Sequence, residues 1–180
     1  MRIGITVLIL LAGLAGLPAA AAEGRAAPGP SGVSERVQTP YKAQKVVYDF
    51  YFDMPGKIGA ALYWLRAHIK PLGEAPYNIP PEFLDIKVVI HGTEIVTVAR
   101  KNYEEYERVV ERMRYYDQIG VDFKVCALAA RDYDYAPDAF YGFVDVVPSA
   151  MAELAHWQQQ GYALMVPTVY ERRQSIEEIR

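Results

Sequence analysis

Five short apolar runs, each separated from the next by a stretch long enough for a helix, constrain this chain more than any other feature. They are Lys45 to Phe52 (KVVYDFYF), Leu84 to Ile90 (LDIKVVI), Val121 to Val125 (VDFKV), Phe143 to Val147 (FVDVV) and Tyr162 to Val166 (YALMV). Runs of this length, rich in β-branched and aromatic residues, read as strands. Mostly apolar strands alternating with helices are those of a parallel sheet covered on both faces. Between the first two runs, Ile58, Ala61, Leu62, Leu65 and Ile69 recur at helical spacing. Asp53 is the expected cap there, with Pro55 in the first turn and Pro71 ending the helix. Tyr106, Val109, Val110 and Met113 mark a second amphipathic helix, with Asn102 and Glu105 as a capping box and Gly120 as the stop. A third helix starts at Pro148-Ser149, with Met151, Leu154 and Ala155 as its core side. Crossovers between parallel strands are expected to be right-handed.

The two ends read differently from this middle. Arg2 precedes an apolar run from Ile5 to Leu17, followed by Pro18 and the small residues Ala20 to Ala22. That order of regions is a secretory signal peptide, 1–22, and the run is short of the roughly 20 residues a spanning helix needs. The expected destination is periplasmic, soluble after cleavage and with no membrane association. Residues 23–44, rich in Ala, Pro, Gly and Ser, read as a flexible linker. The folded domain is then 45–167, an ordinary size for one domain, and 168–180 is a charged tail. The proline-rich stretch from Leu72 to Phe83 is a long irregular loop, of the kind used for function or association. The net charge of −3 and the lack of a basic stripe exclude nucleic acid as an expected partner. The 14 tyrosines point to association surfaces instead.

Ligands of open parallel sheets sit beyond the carboxyl ends of the strands. The first strand delivers Asp53 there, the second His91, Gly92 and Thr93, the third Cys126, and the fourth Pro148 and Ser149. Cys126 is the only cysteine, so no internal disulfide is possible, and His91 is one of three histidines. A cysteine in this place is either a nucleophile, since helix N-termini and histidines favour thiolates, or a small buried hydrophobe. His91 is either a partner of Cys126 or a histidine satisfied by the backbone at a strand end. Glu94 reads as a cap for the segment after it, and His68 and His156 as surface or packing residues. No close-spaced ligand pair supports a metal, no glycine-rich loop a nucleotide, and no G-x-S-x-G motif a serine nucleophile, so no cofactor is expected. A soft-metal site shared by Cys126 and His91 across an oligomer axis is a weaker idea.

The stretches VVIHGTEIV at Val88 to Val96, ERMRYYDQIGVDFKVC at Glu111 to Cys126 and VVPSAMAELAHWQQQGYALMVP at Val146 to Pro167 resemble the DsrE/DsrF-like family of intracellular sulfur-oxidation proteins. The resemblance covers most of the chain between residues 45 and 167. It implies a three-layer sandwich with a five-stranded, mainly parallel sheet and helices on both faces. It also implies a homo-oligomer, a trimer or hexamer. Some relatives carry sulfur as a persulfide on a cysteine after a sheet strand and pass it to a partner protein, and Cys126 looks like that residue. The implied function is an exported sulfur carrier with a protein sulfur donor or acceptor. The alternative is a non-catalytic assembly module with a structural cysteine. Two departures stand out. The export signal contrasts with cytoplasmic relatives, and Cys126 is followed by Ala-Leu-Ala-Ala-Arg, which need not shape the same pocket.

Overall fold

The computed structural model describes residues 32–180; the expected signal peptide and the first part of the expected linker lie outside them. Residues 32–43 contain neither helix nor strand, and the fold starts at β1 (Gln44–Phe50). The remaining elements are α1 (Ile58–Gly73), β2 (Leu84–Ile90), α2 (Tyr103–Gln118), β3 (Val121–Cys126), α3 (Ala127–Asp132), β4 (Val144–Val147), α4 (Ala150–Gln159), β5 (Ala163–Met165) and α5 (Ile176–Ile179). The five strands form one sheet in the order β4-β3-β2-β1-β5, with every neighbouring pair parallel. Among the described residues no helix is long and apolar enough to cross a membrane.

Strand order decides where the helices lie. The chain steps one way from β1 to β4, then returns across the sheet to β5. Because crossovers are right-handed, the return helix must lie on the opposite face. Side-chain alternation follows suit. Val46, Tyr48 and Phe50 of β1 point to the α1 and α2 side with Ile86, Val88, Ile90, Phe123 and Val125. Val47, Val89 and Cys126 point to the α4 side, where they meet Ala150, Leu154 and Tyr162. The first face carries the main core, including fully buried Ile58, Leu62, Leu65, Val110 and Met113. Each such aliphatic side chain stabilises the fold by about 1.5–3 kcal/mol relative to exposure.

Four local expectations are corrected. Pro71 lies inside α1, not at its end, because Leu72 is buried against the core and holds the last turn. The proline ring removes one N–H there without stopping the helix. Asp53 caps nothing: a 3₁₀ turn at Pro55–Lys57 delays α1, and the carboxylate pairs with Lys57 at 2.6 Å. Asn102 is turned inward rather than forming a capping box. Its amide donates to the Val96 carbonyl at 2.8 Å and the Tyr135 hydroxyl at 3.2 Å. In α4 the buried positions are Ala150 and Leu154, with Trp157 half-buried, whereas Met151 and Ala155 are exposed. The apolar stripe runs one residue earlier than read, since Ser149 caps the helix through Ala152 N–H and so fixes its phase.

Candidate functional site

The strand ends converge on two adjoining groups of residues. The first lies between β3 and β4. Chains leaving these neighbours turn to opposite faces, which makes their carboxyl ends the switch point where open parallel sheets bind ligands. Cys126 is the last residue of β3, paired in register with Val147. Its side chain faces α4, and the Ala150 N–H at the first turn of α4 donates to Sγ at 3.3 Å. Helix N-termini carry partial positive charge and free N–H donors. Cys126 is 5% exposed.

The second group lies at the ends of β1 and β2. Ile90 is opposite Val125 in the ladder, so the next residues, His91 and Cys126, follow side by side. Neighbouring strands place them roughly 5 Å apart at the backbone. Both alternate to the α4 face. Yet no hydrogen bond joins the two side chains among the described residues. The imidazole Nε2 instead meets Asp49 Oδ1 at 2.6 Å. Asp49 also lies on the α4 face, two residues after Val47, and both side chains are mostly shielded, at 12% and 19% exposure. The Tyr51 ring stacks on the imidazole at 4.9 Å and 17°.

The loop after β2 is fixed from beneath. Glu94 is completely buried and accepts backbone N–H groups of Gly92 at 2.9 Å, Phe52 at 3.0 Å and His91 at 3.3 Å. Glu94 therefore clasps the end of β1 to the residues before it, rather than capping the segment after it. Burial pushes its carboxyl above the ordinary range, against the pull of those N–H groups. Thr93 adds two bonds to the Phe52 carbonyl, from its backbone N–H and its hydroxyl, each at 2.9 Å. The closeness leaves room only for glycine at position 92, since a Cβ would stand 2.5 Å from the Phe52 nitrogen. Tertiary contact with Phe52 thus ties His91-Gly92-Thr93-Glu94 into one unit.

A cleft of about 490 Å³ opens above this loop, lined by Tyr51, His91, Thr93, Ala129, Asp132 and Tyr133, among others. A smaller, mostly apolar cleft of about 330 Å³ opens on the β3–β4 side, lined by Ala130, Tyr135, Val146 and Pro148 among others. Cys126 lines neither. Ala129 lines the larger cleft and also packs against the cluster holding Cys126.

Below the strand ends, the α4 face carries a charged layer that seats the helix. Lys87 lies between Asp85 at 2.8 Å and Asp122 at 2.5 Å, under the Trp157 ring. Burial pulls the Lys87 ammonium down, but its two carboxylates outweigh that and hold it above the ordinary value. Burial and the Asp85 carboxylate together push the Tyr162 hydroxyl up to about 12. His68 packs as expected, bonded to Tyr48 at 2.9 Å and Gln44 at 2.6 Å, and burial pushes it down. Among the described residues, no three His, Cys, Asp or Glu side chains converge on a point that would hold a metal ion.

Of the residues singled out from sequence, Cys126 and His91 are neighbours on one face, while Asp53 lines the cleft paired with Lys57. Asp49 was missed. Its signal was present: a carboxylate at an interior position of an otherwise apolar strand breaks the local pattern, and such breaks concentrate at working sites.

The model of the DsrE/DsrF-like family matches residues 47–167. A solved structure of a protein of unknown function from Methanobacterium thermoautotrophicum is similar with a TM-score of 0.55 and 22% identity, covering 69% of this chain and 99% of that one. A conserved protein of unknown function from Bacteroides thetaiotaomicron has a TM-score of 0.49 and 13% identity, with coverages of 69% and 95%. No curated protein matches the chain.

Proposed function

This chain belongs to the DsrE/DsrF-like family, and from that premise we propose that it is a sulfur-relay protein that carries sulfane sulfur as a persulfide on Cys126. The observation that carries the reading is the Ala150 N–H aimed at Cys126 Sγ from the first turn of α4, at the switch point of the sheet. A thiolate is the attacking species in sulfur exchange, and an N–H at a helix N-terminus stabilises both a thiolate and the persulfide anion formed from it. The cysteine attacks the outer sulfur of a persulfide donor, the new S–S bond forms as the donor's S–S bond breaks, and the donor leaves as a thiol. His91 supplies the proton that the leaving sulfur takes up. Sulfur at this depth is protected from stray oxidants. The leader-like N-terminus supports a periplasmic setting, and the three exposed residues of β5 offer an edge for a homo-oligomer.

Intact mass after incubation with polysulfide tests the reading. The native chain should gain one sulfur, removable by reductant, and Cys126→Ser should gain none while keeping its circular dichroism spectrum. Equal gain by both proteins sinks it.

The burial of Cys126 favours a second reading, an assembly module in which the thiol is a small core residue. It predicts that iodoacetamide labels Cys126 only after unfolding, and that polysulfide adds no mass.

A further inference from the structure

The geometry points to Asp49 as the positioning residue of this site: it fixes the tautomer of His91, so that the imidazole presents Nδ1 as its free base to the cleft. The role of that base in sulfur transfer rests on the persulfide reading above; the tautomer assignment does not.

The tautomer follows from which atoms donate and which accept. An ionised carboxylate only accepts hydrogen bonds, so the nitrogen that meets Asp49 Oδ1 at 2.6 Å must carry the proton. In the neutral ring that leaves Nδ1 unprotonated. No group among the described residues bonds Nδ1, and it is not among the buried polar atoms left without a partner, so it reaches solvent. His91 lines the larger cleft. The ring cannot easily turn away: Tyr51 stacks on one face and the backbone N–H is held by Glu94 and by the Phe50 carbonyl. A carboxylate, an oriented imidazole and a cysteine therefore follow one another on β1, β2 and β3, all on the α4 face. Asp49 does not reach the sulfur; it acts through His91.

The proton inventory closes without an added redox partner. The Cys126 thiol gives its proton to Nδ1, and the thiolate attacks the outer sulfur of a persulfide R–S–SH. The S–S bond breaks with its electron pair on RS⁻, and the imidazolium returns the proton to give RSH. Asp49 stabilises the imidazolium between the two events.

The test uses the chain from residue 23 onward with ¹⁵N-labelled histidine. Imidazole ¹⁵N spectra at pH 8, with His91 assigned by its loss in His91→Gln, should show the proton on Nε2 in the native protein and a mixture of tautomers in Asp49→Ala. An unchanged tautomer in Asp49→Ala, or a native ring protonated on Nδ1, overturns the assignment whether or not the protein takes up sulfur. Loading rates from glutathione persulfide supply the second readout. Asp49→Ala and His91→Gln should each slow loading tenfold or more, and the double variant should be no slower than His91→Gln alone. Additive losses overturn the claim that Asp49 works through His91. A native chain that takes up no sulfur overturns the persulfide reading and leaves the spectra to decide the tautomer. Asp49→Asn, which keeps the volume, serves if Asp49→Ala unfolds.

Discussion

The two faces of the sheet differ in what they are made of. The face under α1 and α2 is apolar from Val46 to Val144, broken at few points and closed to water. The face under α4 has six buried apolar residues, and around them lie Lys87, Lys124, Asp85, Asp122, Asp49 and His91. One helix of ten residues covers what two helices of 16 residues each cover on the other side. The difference separates two jobs. Hydrophobic burial on the first face fixes the strands, and the rigid strands then hold polar groups on the second face at defined spacings. A site can tolerate charge and partial solvent access only where it is not also the main source of stability.

Truncating one leucine on each face separates the two contributions most directly. Leu62→Ala, at a fully buried position of α1, should cost about 3–5 kcal/mol in urea unfolding. Leu154→Ala, 6% exposed on the smaller face, should cost about 2 kcal/mol because the thin α4 layer can settle into the gap. Equal losses from the two would mean that both faces stabilise the fold alike.

Glu94 is a fully buried carboxyl on the loop after β2, tied to the end of β1. Glu94→Gln keeps one acceptor but turns an amide toward the Phe52 N–H, at a cost of about 1–2 kcal/mol. The folded state holds the Glu94 proton more tightly than the unfolded state does. Its contribution is therefore fully present below about pH 4.5 and fades as pH rises through the raised folded value. Denaturation of both proteins from pH 4 to pH 8 should show the gap between them largest at the acid end. A gap that widens with pH would mean that the carboxylate, not the acid, is the favoured form. The smallest effect is expected from Asp145→Asn. Its carboxylate pairs with Lys124 at 3.1 Å but is 74% exposed, and such pairs contribute well under about 1 kcal/mol. A melting temperature lowered by several degrees would show the charged layer to be structural rather than incidental.

The site was half legible in the sequence. Cys126 and His91 stood out because rare residue types fell just after strands, where parallel sheets do their chemistry. Asp49 broke the apolar pattern of its strand, but a strand reading assigns residues to a face by alternation and cannot say what stands diagonally across on the next strand. Glu94 was misread for the same reason. A glutamate two residues after glycine looks like a local cap, whereas its partners include Phe52, 42 residues away.

The set of elements and their order is written in the local pattern of residues. Period-two and period-3.6 patterns are local properties, and they placed five strands and the three long helices close to where they are. Only the tertiary structure decided which face each side chain shares with another. The return crossover from β4 to β5 put α4 on the second face and brought the Ala150 N–H onto Cys126, while the pairing of β1 with β2 set Asp49 against His91. These contacts join residues 24 and 42 positions apart, and no local pattern carries that distance.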